Sequence, residues 1–187
     1  MKRVAVLISG RGSNMAALMD AQQDAYRVAL VISNRPDAAG LEPARTAGIE
    51  ALAIDHKSFG NDREALEREV DAALRARNIE IVALAGFMRV LTPYFVRAWA
   101  GRLLNIHPSL LPKYPGVDTH ARALAAGDAE HGCTVHLVVE EVDAGEILGQ
   151  ARLAVLPGDT PETLAGRVLE LEHELYPRCL AALARGV

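Results

Sequence analysis

Several features that would place a protein in a specialised class are scarce or missing in this sequence. Its 187 residues include only two cysteines, Cys133 and Cys179, and neither lies in a CxxC or Cys/His pattern. We therefore expect buried thiols in a reducing compartment rather than metal ligands or a disulfide. The net charge is −4 and the 20 Lys and Arg residues are scattered, which argues against a nucleic-acid surface. No apolar stretch approaches the roughly 20 residues of a membrane helix, so we expect no membrane association.

Half of the residues are hydrophobic, which is ordinary for a globular protein. The opening stretch MKRVAVLISGRG has a basic pair and an apolar run, but no cleavage pattern follows, so it predicts a first strand rather than a signal peptide. No repeat or linker interrupts the chain. We expect a soluble, cytoplasmic protein with one domain over residues 1–187, as a monomer or a homodimer.

Short apolar runs alternate with amphipathic stretches, which predicts strands that alternate with helices. The helical pattern is clearest from Asp62 to Asn78, where Leu66, Val70 and Leu74 fall on one face. Because the strand-like runs are nearly continuous in hydrophobicity, we expect a parallel sheet covered on both faces, in a doubly wound, Rossmann-like α/β fold. The predicted strands are Val4 to Ile8, Val28 to Ile32, Ala51 to Ile54, Ile79 to Ala85 and Leu103 to His107.

The second half of the chain predicts an antiparallel addition, so the sheet as a whole should be mostly parallel but mixed. The segments CTVHLVVEEV and ILGQARLAVL are too close for a crossover helix and are expected to pair antiparallel. A final helix begins near Asp159, and Pro177 is expected to kink or end it. Its predicted buried stripe is Leu164, Val168, Leu171 and Leu175.

The glycine-rich segment ISGRGSNM joins the first strand to the first helix. The backbone N–H groups of Gly12, Ser13 and Asn14 would lie at a helix N-terminus, where a phosphate group binds well. A dinucleotide fingerprint needs a third glycine where Met15 stands, and no Gly-Lys-Ser/Thr follows. A single phosphate group remains the favoured ligand, and a plain tight turn is the alternative.

Asn105 and His107 are two residues apart on a predicted strand, so they share a face at its carboxyl end, where α/β sheets bind ligands. Pro108, Pro112 and Pro115 follow, and prolines stiffen a loop. An amide N–H and an imidazolium N–H together could stabilise an oxyanion. A simple polar strand end is the other interpretation.

A carboxylate near this histidine would favour its charged form, and Asp143, in the segment EEVDAGE, is the candidate. A turn-forming aspartate is the simpler alternative. No GxSxG, Cys/His dyad or HExxH pattern is present, so we expect neither a covalent nucleophile nor a metal site.

Motifs along nearly the whole chain resemble those of the phosphoribosylglycinamide formyltransferases, the folate-dependent glycinamide ribonucleotide transformylases. They are VLISGRGSNMAAL, NRPDAAGLEPARTAGI, LAGFMRVLTP, GRLLNIHPSLLPKYPGVDTHARAL, HGCTVHLVVEEVDAGEIL and GRVLELEHELYP. Formyltransferases that act on methionyl-tRNA or hydrolyse formyl-folate share part of the pattern, but they usually carry a further domain. The resemblance implies formyl transfer from 10-formyltetrahydrofolate to the amine of 5-phosphoribosylglycinamide, without a metal.

The resemblance also implies roles for particular residues. Asn105, His107 and Asp143 would be catalytic, with Asp143 sustaining the charge on His107 and helping to move a proton through a water. Gly12, Ser13, Asn14 and Glu172 would bind the glycinamide substrate. The folate site would comprise Arg63, Met88, Arg89, Val90, Leu91, Val139, Glu140, Glu141, Val142 and Asp143. Residues up to about 100 would form the phosphate-binding half, and residues from about 101 to 187 the catalytic and folate-binding half.

Two other classes remain open: a dinucleotide oxidoreductase and a phosphate-metabolite binding module. Met15 at the third-glycine position, and Ser33-Asn34 where an acid would hold a ribose at the end of the second strand, weigh against the first. The Asn105, His107 and Asp143 set weighs against the second. Arg11 stands where the family usually has a small or amide residue, and its charge would either strengthen phosphate binding or lie solvated.

Overall fold

The computed structural model describes residues 1–22 and 24–187. Within them, seven strands form one sheet in the order β3-β2-β1-β4-β5-β6-β7. The strands are β1 (Lys2–Ile8), β2 (Tyr26–Ser33), β3 (Glu50–Ala53), β4 (Ile81–Leu84), β5 (Leu103–His107), β6 (Glu130–Leu137) and β7 (Ile147–Ala154). The helices are α1 (Ser13–Asp20), α2 (Leu41–Thr46), α3 (Arg63–Ala76), α4 (Pro93–Ala98), α5 (Thr119–Ala125) and α6 (Pro161–Arg185), with a 3-10 helix at His56–Phe59.

Strands β1 to β5 pair in parallel, and β6 and β7 pair antiparallel, which confirms the predicted mixed, doubly wound sheet. The chain moves outward from β1 through β2 to β3, then returns to place β4 on the other side of β1. The order therefore reverses between β1 and β4, and ligands of open α/β sheets bind at such a point.

Two apolar clusters cover the two faces of the sheet, because successive residues of a strand point to opposite sides. Val4 and Val6 of β1 face a cluster that includes α1 and α6, whereas Ala5 and Leu7 face α3 and α4. This explains why β1 reads as a continuous hydrophobic run: both of its faces are buried. The amphipathic pattern of α3 is also confirmed, since Leu66, Val70 and Leu74 are buried.

Helix α6 corrects two expectations. It runs through Pro177 to Arg185, so the proline does not end it. Proline removes one helical hydrogen bond, but Pro177 itself is buried along with Tyr176 and Leu180, and this packing supports the helix on both sides of it. Leu171 is only partly buried, whereas its neighbour Glu172 is buried with the stripe.

The antiparallel pair corrects a third expectation. Strand β6 ends at Leu137 instead of continuing through Val142, so the connection to β7 is longer than the sequence suggests. A Cβ on Gly145 would lie 1.7 Å from the carbonyl oxygen of Leu137, so only glycine lets this connection pass so close to the strand end. The connection carries Asp143 to the end of β5, beside His107.

Candidate active site

The sequence-predicted site residues gather at the carboxyl edge of the parallel strands. The segment Gly10 to Asn14 follows β1, Met88 to Leu91 follow β4, and His107 closes β5. Asp143 reaches the same place from the β6 to β7 connection. Three strand ends and one long connection therefore lie at the same edge of the sheet.

His107 is held at both ring nitrogens. Its Nε2 lies 2.8 Å from the backbone carbonyl of Tyr114, and since a carbonyl only accepts, Nε2 carries a hydrogen. Its Nδ1 lies 3.5 Å from Oδ2 of Asp143, within the range of an ion pair. The ring is 5% exposed. Nδ1 is therefore the ring nitrogen that faces Asp143.

Asp143 connects several parts of the site. Its φ angle is 56°, in the left-handed region that an aspartate adopts only at some cost. Its Oδ2 accepts a hydrogen bond of 2.8 Å from the N–H of Gly116, and its Oδ1 lies 3.6 Å from Nε2 of His136. The carboxylate thus fixes the proline-rich loop and faces two imidazole rings at once.

His136 was not among the predicted site residues, although it touches two of them. Burial lowers its pKa below the ordinary value for histidine, so the ring is neutral near pH 7. Its Nδ1 donates to the carbonyl of Leu137 at 3.0 Å, which leaves Nε2 to accept from Nδ2 of Asn105 at 3.5 Å. His136 therefore orients the Asn105 amide. The sequence shows His136 as a polar residue within a strand-like apolar run. Its contact with Asn105 depends on how β5 and β6 align, which the sequence does not show.

The proline-rich loop is secured by several hydrogen bonds, which agrees with its predicted stiffness. The hydroxyl of Ser109 donates to the carbonyl of Lys113 at 2.5 Å, and the hydroxyl of Thr134 donates to the carbonyl of Ser109 at 2.7 Å. The hydroxyl of Thr119 donates to the carbonyl of Pro108 at 2.7 Å. The Ser109 hydroxyl also lies 3.2 Å from the Tyr114 carbonyl that holds His107.

The glycine-rich segment has the predicted geometry. Helix α1 begins at Ser13, and Gly12 precedes it with a φ of 73°. A Cβ at Gly12 would lie 3.1 Å from Cε of Met15 and 3.3 Å from Cα of Gly40. Positive φ and close packing both demand glycine here. The backbone N–H groups of the first turn therefore point from the helix end into the cleft, as an anion site requires.

Glu172 joins this segment from helix α6. Its Oε2 accepts a hydrogen bond of 2.7 Å from Nδ2 of Asn14, while the Asn14 Oδ1 is buried without a protein partner among the described residues. Burial raises the pKa of Glu172 above its ordinary value, and the Asn14 hydrogen bond partly opposes that shift. The pair places a buried carboxyl beside the predicted phosphate site.

A cavity of about 490 Å³ opens along the carboxyl ends of β1, β2 and β4. Arg11 is exposed and lines it, so its charge faces the predicted phosphate site. The cavity has room for a ligand much larger than a phosphate group. Its lining comprises Ser9, Gly10, Arg11, Gly12, Ser13, Asn14, Asn34, Arg35, His56, Ala85, Gly86, Met88 and Arg89.

The predicted folate residues fall into two groups. Met88 and Val90 are 76% and 58% exposed at the cleft, and Nη1 of Arg63 donates to the carbonyl of Val90 at 3.3 Å. Between Arg63, Arg89 and Leu91 lies a narrow cavity of about 10 Å³, which is too small for a ring system.

The second group lies in the connection that precedes Asp143. Val139 and Val142 are exposed hydrophobic side chains, which leaves apolar surface beside the cleft. Glu140 pairs with Arg97 of α4 at 2.5 Å, and Glu141 is exposed. Of this group, Asp143 is the residue that lies beside His107 and His136.

The cysteines lie outside the site. Cys133 and Cys179 are buried free thiols, as predicted, and burial raises the pKa of Cys133 to about 12. Within residues 1–22 and 24–187, no three His, Cys, Asp or Glu side chains are grouped as metal ligands would be. No helix in this described part of the chain combines the length and hydrophobicity needed to cross a membrane.

Comparison with known proteins agrees with this architecture. The formyl transferase family matches residues 2–180, so the chain belongs to the formyl transferase family. Phosphoribosylglycinamide formyltransferase of Escherichia coli (strain K12) is 47% identical over 186 residues, which cover 98% of this chain and 87% of that protein. These matches confirm the resemblance to the phosphoribosylglycinamide formyltransferases that the sequence motifs suggested.

Larger proteins and solved structures show the same relationship. The trifunctional purine biosynthetic protein adenosine-3 of Drosophila melanogaster is 52% identical over 190 residues, and the match spans 99% of this chain but only 14% of the fly protein. The crystal structure of glycinamide ribonucleotide transformylase 1 from Symbiobacterium toebii superimposes with a TM-score of 0.95 at 44% identity, covering 100% of this chain and 89% of that one. Phosphoribosylglycinamide formyltransferase from Brucella melitensis gives a TM-score of 0.93 at 48% identity, covering 100% and 97%.

Proposed function

We propose that this chain transfers the formyl group of 10-formyltetrahydrofolate to the amine of 5-phosphoribosylglycinamide, a step of purine synthesis. The observation that supports the proposal is that Asp143 lies beside His107 and His136, and Asn105 beside His136, at the same edge of the sheet as the helix terminus at Gly12. Family membership and the names of the full-length relatives support the same reaction.

The substrate phosphate would bind at the start of helix α1. The N–H groups of Gly12, Ser13 and Asn14 supply donors, the helix dipole favours an anion, and the exposed Arg11 adds positive charge. Glu172 would then contact the glycinamide portion, since its carboxyl is already oriented by Asn14.

The folate would occupy the cleft between the segment Met88 to Leu91 and the connection Val139 to Asp143. Exposed Met88, Val90 and Val142 offer apolar contact for its rings, and backbone groups of the first segment offer hydrogen bonds to the pterin. The folate contacts would therefore draw on both halves of the chain. Phosphate binding would belong to the first half and the catalytic groups to the second.

In the reaction the neutral amine attacks the formyl carbon, and the carbonyl oxygen becomes an oxyanion. One N–H of the Asn105 amide and the Nδ1–H of charged His107 would donate to that oxygen. Because the Tyr114 carbonyl occupies Nε2 of His107, the ring meets the oxyanion and Asp143 with the same nitrogen.

The intermediate then collapses by cleavage of the bond between the formyl carbon and the folate nitrogen. The attacking amine must lose a proton and the departing nitrogen must gain one. Asp143, acting through a water, would carry that proton from one to the other. The protein forms no covalent bond to the formyl group, and holding the two substrates side by side supplies much of the rate enhancement.

The direct test mixes the purified protein with both substrates and follows the absorbance change as the folate loses its formyl group. We expect turnover that needs phosphoribosylglycinamide, with the formylated product detected by mass spectrometry. Tight binding of both ligands without product would instead favour a binding module, and binding of NAD without folate would favour an oxidoreductase. Formate release without transfer would identify a hydrolase.

A further inference from the structure

A buried serine joins the two predicted substrate sites. Ser9 follows the last residue of β1 and directly precedes the Gly10 to Gly12 segment. It is 4% exposed, and it forms part of the lining of the large cavity. Since it lies where β1 and β4 diverge, it stands at the reversal point of the sheet.

Ser9 holds the segment after β4 with two hydrogen bonds. Its backbone N–H donates to the carbonyl of Gly86 at 3.2 Å, and its Oγ accepts from the N–H of Met88 at 2.8 Å. The Met88 side chain is 76% exposed, so the backbone of this residue is anchored while its side chain faces solvent. The start of the predicted folate segment is therefore hydrogen-bonded to the residue that links β1 to the predicted phosphate site.

The direction of the Ser9 hydroxyl is also determined. Because Met88 supplies an N–H, the single hydroxyl hydrogen of Ser9 is free to donate elsewhere, and it donates to Oδ1 of Asn34 at 2.5 Å. Asn34 is 4% exposed, and its backbone carbonyl accepts from the N–H of His56 at 3.1 Å. A buried chain of hydrogen bonds thus crosses the ends of β2, β1 and β4.

The far end of the folate segment is held independently. Both the backbone N–H and the hydroxyl of Thr92 donate to the buried carboxylate of Glu67 on α3. This anchor has no hydrogen bond to Ser9 or to the glycine-rich segment. It offers a matched comparison, because it restrains the same folate segment without touching the phosphate side.

We propose that Ser9 is a positioning residue that couples the two substrate sites, an inference that rests on the proposed function. A phosphate that orders the Gly10 to Gly12 segment also orders Ser9, and Ser9 in turn orders Gly86 and Met88. The folate then binds a segment that is already ordered, so less conformational entropy is lost on binding. Each substrate therefore strengthens binding of the other. Thermodynamic linkage makes the two effects equal.

The test measures binding of tetrahydrofolate by calorimetry, with and without saturating phosphoribosylglycinamide. This pair carries no formyl group, so nothing reacts. For the wild type we expect tetrahydrofolate to bind about fivefold tighter or more when the second ligand is present, the lower end of usual couplings. Ser9→Ala should bring this ratio close to one. The reciprocal titration should give the same factor.

Thr92→Val is the matched control. It removes the hydroxyl donor at the Thr92 anchor while keeping a similar shape. It should therefore weaken tetrahydrofolate binding both with and without phosphoribosylglycinamide, and leave the ratio of the two affinities as in the wild type. Ser9→Cys is a second variant, whose thiol is a weaker donor and acceptor, and its ratio should fall between those of the wild type and Ser9→Ala. Circular dichroism establishes that each variant is folded.

The outcomes separate this inference from the proposed function. The coupling would be overturned if neither ligand changes the affinity of the wild type for the other, or if Ser9→Ala leaves the affinity ratio unchanged. Either result would leave the transferase proposal standing. Failure of the wild type to bind either ligand would overturn the proposed function and this inference with it.

Discussion

Nε2 of His107 donates a hydrogen bond of 2.8 Å to the backbone carbonyl of Tyr114, seven residues further along the chain. The bond commits one ring nitrogen to the protein and turns the other, Nδ1, toward Asp143. The proline-rich loop is therefore part of the site, because it supplies the acceptor that sets the direction of the ring.

Removing either proposed oxyanion donor should impair turnover. We expect Asn105→Ala and His107→Ala each to lower kcat by about 10²- to 10³-fold, the usual loss for one such donor. Steady-state kinetics with both substrates measure the effect, and thermal melts establish that the variants are folded. Asn61→Ala, an exposed asparagine before α3, is the control and should retain wild-type kcat. Near-normal turnover in either active-site variant would remove the oxyanion role.

Asp143→Asn isolates the carboxylate charge. Asparagine tolerates the left-handed φ of 56° and can still accept from the N–H of Gly116, so the loop should keep its shape. Without the charge beside His107 and without a proton carrier, we expect kcat to fall about 10²-fold with little change in phosphoribosylglycinamide binding. A kcat within twofold of the wild type would contradict the assigned role.

Gly12→Val tests the phosphate site. A valine would need a left-handed conformation, which costs about 1–2 kcal/mol, and would press on Met15 and Gly40. We expect phosphoribosylglycinamide to bind about tenfold more weakly or worse, while tetrahydrofolate binding changes little. Gly48→Val is the matched control, because Gly48 has a φ of 74° in open space away from the cleft. Equal losses for both ligands in Gly12→Val would show that the segment does not bind phosphate.

Glu172 should make stability depend on pH. Its folded-state pKa is raised by burial, so the folded protein holds this proton more tightly than the unfolded chain does. Stability attributable to Glu172 is therefore present below its ordinary pKa and is lost as the pH rises through the raised value. In urea unfolding, Glu172→Gln should have a higher free energy of unfolding than the wild type at neutral pH, whereas at acidic pH the two should be equal.

The same substitution should weaken phosphoribosylglycinamide binding, because the proposed substrate contact loses its charge. Glu174→Gln, on an exposed position of the same helix, is the control and should change neither quantity. If the wild type and Glu172→Gln lose stability in parallel as the pH rises, Glu172 does not titrate in this range.

Much of the fold was predictable because local patterns and burial agree. The runs around β1 and β2 are continuous because both faces of the central strands are covered, and the α3 pattern shows one buried face. Of the two expectations for Pro177, a helix end was wrong, because proline weakens an isolated helix whereas α6 is supported by packing along its length. The end of β6 at Leu137 was also missed, since Val138 and Val139 are as strand-like as the residues before them.

The features of the site also divide into those that the sequence predicts and those that only the tertiary structure shows. The spacing of Asn105 and His107 on a strand, and the glycine at position 12 before a helix, follow from the sequence alone, because strand alternation and the left-handed region are local properties of the backbone. The tertiary structure alone decided that His136 orients Asn105, that Tyr114 holds His107, and that Ser9 carries Met88. Those contacts depend on strand register and loop path, which arise from packing of the whole chain and leave no periodic trace in any one segment.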